Sequence, residues 1–219
     1  MITKLFINSC ILTTFISITY IFILNKNISL NTWLLPRILI GVWGGLLGIL
    51  LILFSVPIIF NVIIDFRYLP ILLSALFGEI LSPIIASIII GIFRVLYFGV
   101  TKASVVALIA AFLLGTGFSI LCSIKASRKV KWIQSTVYSI IVTSISIIIL
   151  INDSTILFKI LMSYITAIIL VSYLVFKYTE YLSESVKIYR KVNVESTLDF
   201  LTGLNNVMQF KMDFNKSAK

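Results

Sequence analysis

Apolar residues in this chain do not alternate with polar ones; they run on. Five stretches, residues 5–24, 38–60, 105–124, 132–151 and 156–176, are built mainly of Ile, Leu, Val and Phe and carry almost no charge. A helix needs roughly 20 such residues to cross about 30 Å of hydrocarbon, and each stretch reaches that length. Without a period-2 alternation they read as spanning helices and not as strands of a membrane barrel. The first follows Lys4 in the manner of a secretory leader, but Asn25, Lys26 and Asn27 behind it offer no small-residue cleavage site. It is therefore expected to stay on the chain as a helix.

Composition agrees with the pattern. Hydrophobic residues make up 60% of the chain and charged ones 12%, and the mean hydropathy of +1.13 lies far above that of a soluble domain. The expected fold is an all-α integral membrane helical bundle of about six to seven transmembrane or half-membrane helices, continued by a cytoplasmic signalling helix. Cys10 and Cys122 sit inside apolar runs and read as small packing residues, with no disulfide or metal set implied.

Charge adds orientation. The net charge of +10 is uneven: Lys125, Arg128, Lys129 and Lys131 crowd one short loop, and Lys177, Lys187, Arg190 and Lys191 follow the last run. The excess of basic residues on inward loops puts both clusters, and the C-terminus, on the cytoplasmic side of the cell membrane. Beside a bilayer such clusters set orientation and meet anionic lipid, so the lipid bilayer is the expected partner and nucleic acid is not.

Residues 63–104 admit two readings. As one continuous helix they would place Arg67 and Arg94 about 40 Å apart, on opposite sides. Alternatively the chain breaks between Gly78 and Pro83, where Gly frees the backbone, Pro removes a donor and the Glu79 carboxylate is costly in lipid. Two shorter helices then form a hairpin that returns both arginines to one side and leaves the N-terminus outside. The Gly, Glu and Pro chemistry favours the hairpin, and broken helices at membrane depth occur where they line a cavity or pack inside protein. Two converging guanidinium forks suit a small anionic ligand, which makes Arg67, Arg94, Asp65 and Glu79 the ligand-binding candidates. The competing arrangement pairs Arg67 with Asp65 at the membrane edge, lets Arg94 snorkel or pair with Glu79, and leaves no ligand site. Gly41, Gly44, Gly45 and Gly48, with Gly115 and Gly117 further on, read as close helix packing.

The order Asp65-x-Arg67, then Phe77-Gly78, Ile85-Ala86, Gly91, Arg94 and Gly99 resembles the LytS-type five-transmembrane sensor domain of bacterial signalling proteins, over roughly residues 35–176. Glu79 stands where that family commonly has Pro, and Val100 replaces the second Gly of a pair. The resemblance implies a small-ligand or cell-envelope sensor, with small carboxylates as one ligand class and the two arginines as its holders. The next helix, around Val105 and Leu108, is apolar here.

After Phe176 the sequence turns polar without Gly or Pro. Tyr181, Leu182, Ile188, Tyr189 and Val192 form an apolar stripe at helical spacing, fit for a helix over 178–192 that pairs with a second copy to make a homodimer. A solvated tail helix reads from the same stripe. Asp199-Phe200-Leu201-Thr202-Gly203-Leu204-Asn205-Asn206 then resembles the D-x-L-T-G-L-x-N-R opening of GGDEF domains, the diguanylate cyclase module, with Val207 in place of Arg. Its motif residues are Asp199, Leu201, Thr202, Gly203, Leu204 and Asn206. That module needs carboxylates to hold Mg²⁺ against GTP. No GGDEF or GGEEF string follows, so no catalytic residue, no metal site and no cofactor is expected in this chain, and no synthesis of cyclic di-GMP; Mg and GTP belong only to a complete module. The chain also has no histidine to accept phosphate.

The organisation expected is an N-terminal helix and loop (1–34), a sensor bundle (35–176), a signalling helix (177–197) and the truncated start of a GGDEF domain (198–219). The function expected is a multi-pass sensor or regulatory input module. The alternative is a small-molecule transport or substrate-capture protein, which would use paired arginines equally well but has no need of the tail.

Overall fold

Pro57 ends the second apolar run early. Its ring disfavours helix at the residue before it and its nitrogen cannot donate, so α2 (Leu34–Leu53) stops short of the expected 60 and the chain becomes extended. Strand β1 (Val56–Ile59) turns back on β2 (Val62–Ile64) as an antiparallel hairpin, Val56 opposite Ile64. Apart from this hairpin the described fold is helical. It continues as α3 (Tyr68–Gly78), α4 (Leu81–Phe98), α5 (Lys102–Ser123), α6 (Arg128–Leu150) and α7 (Ser154–Thr197), with α1 (Ile2–Asn25) ahead of them. The computed structural model describes residues 2–25, 34–59, 62–197 and 206.

Helices α2, α4, α5, α6 and α7 are each long and apolar enough to cross a bilayer, and the chain is a multi-pass membrane protein. Ile133, Val137, Ile141, Ile145 and Ile148 stay exposed along one face of α6, as a lipid-facing stripe does. The small-residue stripe of α2 faces inward: a Cβ on Gly41 would lie 2.8 Å from the Ser82 carbonyl oxygen of α4, and one on Gly45 2.9 Å from Ile89. Gly115 of α5 meets α4 in the same way, 2.9 Å from the Pro83 carbonyl oxygen. Bare glycine backbones thus let α2 and α5 approach α4 closely, where side-chain dispersion must replace a hydrophobic drive that lipid does not supply.

The chain does break between α3 and α4. Glu79 takes φ 60° and ψ −147°, a region that suits glycine, and Pro83 falls in the first turn of α4, where no helical donor is missed. Ser82 Oγ donates to the carbonyl oxygens of Arg37 (2.7 Å) and Gly78 (2.8 Å), tying the turn to α2. The turn lies at the same end of the bundle as the basic loop: the Arg128 guanidinium stands 5.7 Å over the Phe77 ring, and Tyr20 of α1 meets Phe77 edge-on.

From that turn α3 runs 11 residues and α4 runs 18, about 16 and 27 Å. The start of α3 is therefore sunk about 10 Å below the end of α4. The last span and the expected signalling helix form a single helix, α7, of 44 residues, about 66 Å long. Asp153 caps it, its Oδ1 accepting from the Thr155 hydroxyl and then from the Ile156 and Thr155 backbone N–H groups, which holds its carboxyl below the usual carboxylate range. Helix α1 lies along α7, joined by a 2.5 Å bond between the Ser17 and Tyr178 hydroxyls and by Tyr20 donating to the Thr179 carbonyl oxygen at 3.1 Å.

Candidate functional site

The end of the bundle opposite the basic loop contains a recess where α3 begins, α4 and α6 end, and α5 and α7 begin. Its cavity volume is about 80 Å³, room for a few waters or one small anion. Asp65, Arg67 and Arg94 line it. The short α3 makes this possible, since a full-length helix would carry Arg67 to the membrane boundary.

Asp65 and Arg67 form a two-pronged ion pair: Arg67 Nε to Oδ1 at 2.7 Å and Nη2 to Oδ2 at 2.6 Å, with the Arg67 backbone N–H also donating to Oδ1 at 3.1 Å. The Asp65 side chain is 1% exposed and that of Arg67 15%, so both charges have left water and depend on each other. Arg94 is buried too. One helical turn from Phe98, it lays its guanidinium 4.0 Å over that ring, and it lies within electrostatic reach of both Arg67 and Asp65.

Helix α7 closes the recess. Tyr164 donates to the Asp65 carbonyl oxygen at 3.2 Å, and Tyr68, at the head of α3, donates to the Ile168 carbonyl oxygen at 3.2 Å. On α6, Thr143 donates to the Ser139 carbonyl oxygen and Ser146 to that of Val142. Their hydroxyl hydrogens are thereby committed to their own helix, so donors for an anion come from the guanidinium forks. Ala103, Ala107, Ala110 and Ala111 of α5 supply an apolar wall whose small side chains leave the space open.

Of the residues expected at a site, the structure brings Asp65, Arg67 and Arg94 together. Glu79 is not with them: it lies at the other end of α3, about 18 Å away along the helix, where its Oε2 meets Arg37 Nη2 at 2.6 Å. Tyr164, Tyr68 and Thr143 are lining residues that the sequence did not announce, because nothing sets them apart from the other scattered Ser, Thr and Tyr of the apolar runs, and Thr143 and Tyr164 reach the site only through folding. Asp199, Leu201, Thr202, Gly203 and Leu204 lie outside the described residues; Asn206 is described and half-buried. Among the described residues no cluster of His, Cys, Asp and Glu could hold a metal ion.

The sequence model of the family described as 5TMR of 5TMR-LYT matches residues 19–178, from the last turns of α1 well into α7. No curated protein matches the chain, and no solved structure does.

Proposed function

The chain belongs to the LytS-type five-transmembrane family, 5TMR of 5TMR-LYT, over residues 19–178, and from that premise we propose that it senses a small anion in the Asp65, Arg67 and Arg94 recess and reports occupancy through α7. The observation that carries this reading is the continuity of α7. The helix that contributes Ile160 and Tyr164 to the recess runs unbroken to Thr197. Its length of about 66 Å is about twice the hydrocarbon thickness, so a shift of Tyr164 against Asp65 is delivered past the basic end without an intervening joint.

The ligand class follows from the site. Two guanidiniums beside a small apolar wall suit a small anion with little bulk, such as a short carboxylate. The basic loop faces the cytoplasm and the recess faces outward, as the distribution of Lys and Arg favours. Beyond α7, the likeness of residues 199–206 to a GGDEF opening makes a diguanylate cyclase module the natural recipient, with Mg and GTP bound by that module and not by the bundle. The exposed Tyr181, Ile188 and Val192 are the surface through which two copies pair. A transport protein could use the same recess, but a helix continued this far beyond the bilayer serves signalling better.

The test is thermal unfolding of the purified chain in nanodiscs with acetate, propionate, lactate or inorganic phosphate added. A bound anion stabilises the folded state in proportion to the logarithm of its concentration over Kd. At least one monocarboxylate raises Tm, and Arg94→Gln removes that shift. Equal shifts in the variant, or none with any of the four, would sink the reading.

A further inference from the structure

A second, larger space lies at the basic end, between α6 and α7, with a cavity volume of about 600 Å³. It runs from Lys129 and Lys177 at the bilayer boundary to Ile140 on α6 and Ile169 on α7, about 16 and 12 Å deeper by the helical rise. Its mouth is at the opposite end of the bundle from the anion recess, and its deep end stops about one turn of α6 short of Thr143. We propose that this groove seats one anionic glycerophospholipid, its phosphate held between Lys129 and Lys177 and one acyl chain laid along α6 and α7.

The groove has the same polarity as that molecule. Both lysines are exposed at its mouth, whereas Ile133 and Val137 along its length are half-exposed to the lipid side. Its floor asks nothing of an occupant: Trp132 Nε1 donates to Ser172 Oγ at 2.9 Å, and Thr136 and Ser172 share a 2.7 Å bond. A hydrocarbon chain can therefore cover those polar groups without leaving any of them unpaired. At the mouth Lys177 also meets Glu180 at 3.2 Å. Two ammonium groups against one carboxylate leave one positive charge, the complement of one phosphodiester. A zwitterionic phospholipid brings its own cation beside the two lysines and so gains less there, and a free phosphate leaves the apolar length unfilled. Since α7 supplies half of the wall, the lipid would lie against the helix that carries the signal.

Trp132 is a built-in probe. In a Trp33→Phe, Trp43→Phe background, the full chain is reconstituted in phosphatidylcholine vesicles containing a minor share of either phosphatidylglycerol or phosphatidylcholine with brominated acyl chains, which quench indole on contact. Brominated phosphatidylglycerol is expected to quench Trp132 at about fivefold lower content than brominated phosphatidylcholine, the preference that one net basic charge near the surface provides. Replacing Lys129 and Lys177 by Gln abolishes the preference; the charge-matched control, Lys125→Gln with Lys187→Gln, keeps it. Equal quenching by the two lipids overturns the proposal, as does equal loss in the control, which marks general surface attraction. Disulfide-linked dimers formed through a cysteine at Val137 would also overturn it, since they put a second copy in the groove.

Discussion

Arg37 reaches from the first turn of α2 to Glu79, Nη2 to Oε2 at 2.6 Å, and so holds the turn between α3 and α4 against the start of α2. Glu79 does this from a backbone conformation that favours glycine. Strain there costs about 1–3 kcal/mol, while a half-exposed ion pair contributes less than about 1 kcal/mol. Glu79→Ala keeps the strain and loses the pair; Glu79→Gly loses the pair and relieves the strain. Thermal unfolding in detergent is expected to rank Gly above Ala by about 1–2 kcal/mol. An Ala variant as stable as the Gly variant would show that the turn is unstrained.

The Asp65 and Arg67 pair behaves in the opposite way, because it is buried. Arg67→Met strands a carboxylate in an apolar recess and is expected to destabilise by about 3–5 kcal/mol. The double change Asp65→Asn with Arg67→Met removes both charges and costs less than Arg67→Met alone. Additive losses in a double-mutant cycle would mean that the two side chains do not depend on each other.

Glycines in the bundle are not interchangeable. A Cβ on Gly41 or Gly115 meets backbone oxygen of α4 under 3.0 Å, whereas one on Gly91 finds nothing nearer than Leu108 at 3.4 Å. Gly41→Ala and Gly115→Ala are expected to force α4 aside at about 1–3 kcal/mol each. Gly91→Ala is neutral or stabilising by up to about 1 kcal/mol, since alanine favours helix. The ranking of the three melting temperatures checks this.

The proposed outward orientation of the recess predicts which loops a reagent reaches. Tyr68 is buried beside the recess, but Val100 and Asn152 are exposed at that end and Lys125 at the other. With Cys10 and Cys122 replaced by Ser, single cysteines at Val100 and Asn152 are expected to react with a membrane-impermeant maleimide in intact cells. One at Lys125 reacts only after permeabilisation. The reverse pattern would invert the proposed orientation.

Pairing through α7 predicts a periodic response. Tyr181, Ile188 and Val192 are exposed on that helix, whereas Val186 is buried. Oxidative crosslinking of single cysteines is expected at the three exposed positions and not at Val186. Crosslinking at none of them would leave α7 a solvated helix.

Much of the architecture was legible because membrane spans announce themselves by length and apolarity, and because Gly78, Glu79 and Pro83 together interrupt one. The end of α2 was not, since Pro57 is flanked by Val and Ile and its effect was masked by the hydropathy around it. The boundary expected at residue 177 falls inside α7, for nothing in the sequence stops the helix there. At the site, Asp65 and Arg67 are neighbours in sequence and Arg94 follows once the hairpin is drawn. Tyr164 bonds a residue 99 positions away, and no local pattern carries that information. Glu79 was grouped with the arginines because they share one short segment; the length of α3 separates them.

The sunken start of α3 also exposes the recess to the membrane potential. On the proposed orientation, an anion that enters from outside travels about 10 Å of the roughly 30 Å of hydrocarbon before it meets Arg67 at the start of α3. A unit charge crossing the whole thickness exchanges about 2.3 kcal/mol per 100 mV, so a third of the way amounts to about 0.8 kcal/mol, or about fourfold in Kd. A negative cell interior opposes that entry. De-energising the membrane would therefore tighten the site's hold on its ligand at unchanged external concentration, and a detector of a small anion built on this half-length helix would read the energetic state of the cell at the same time.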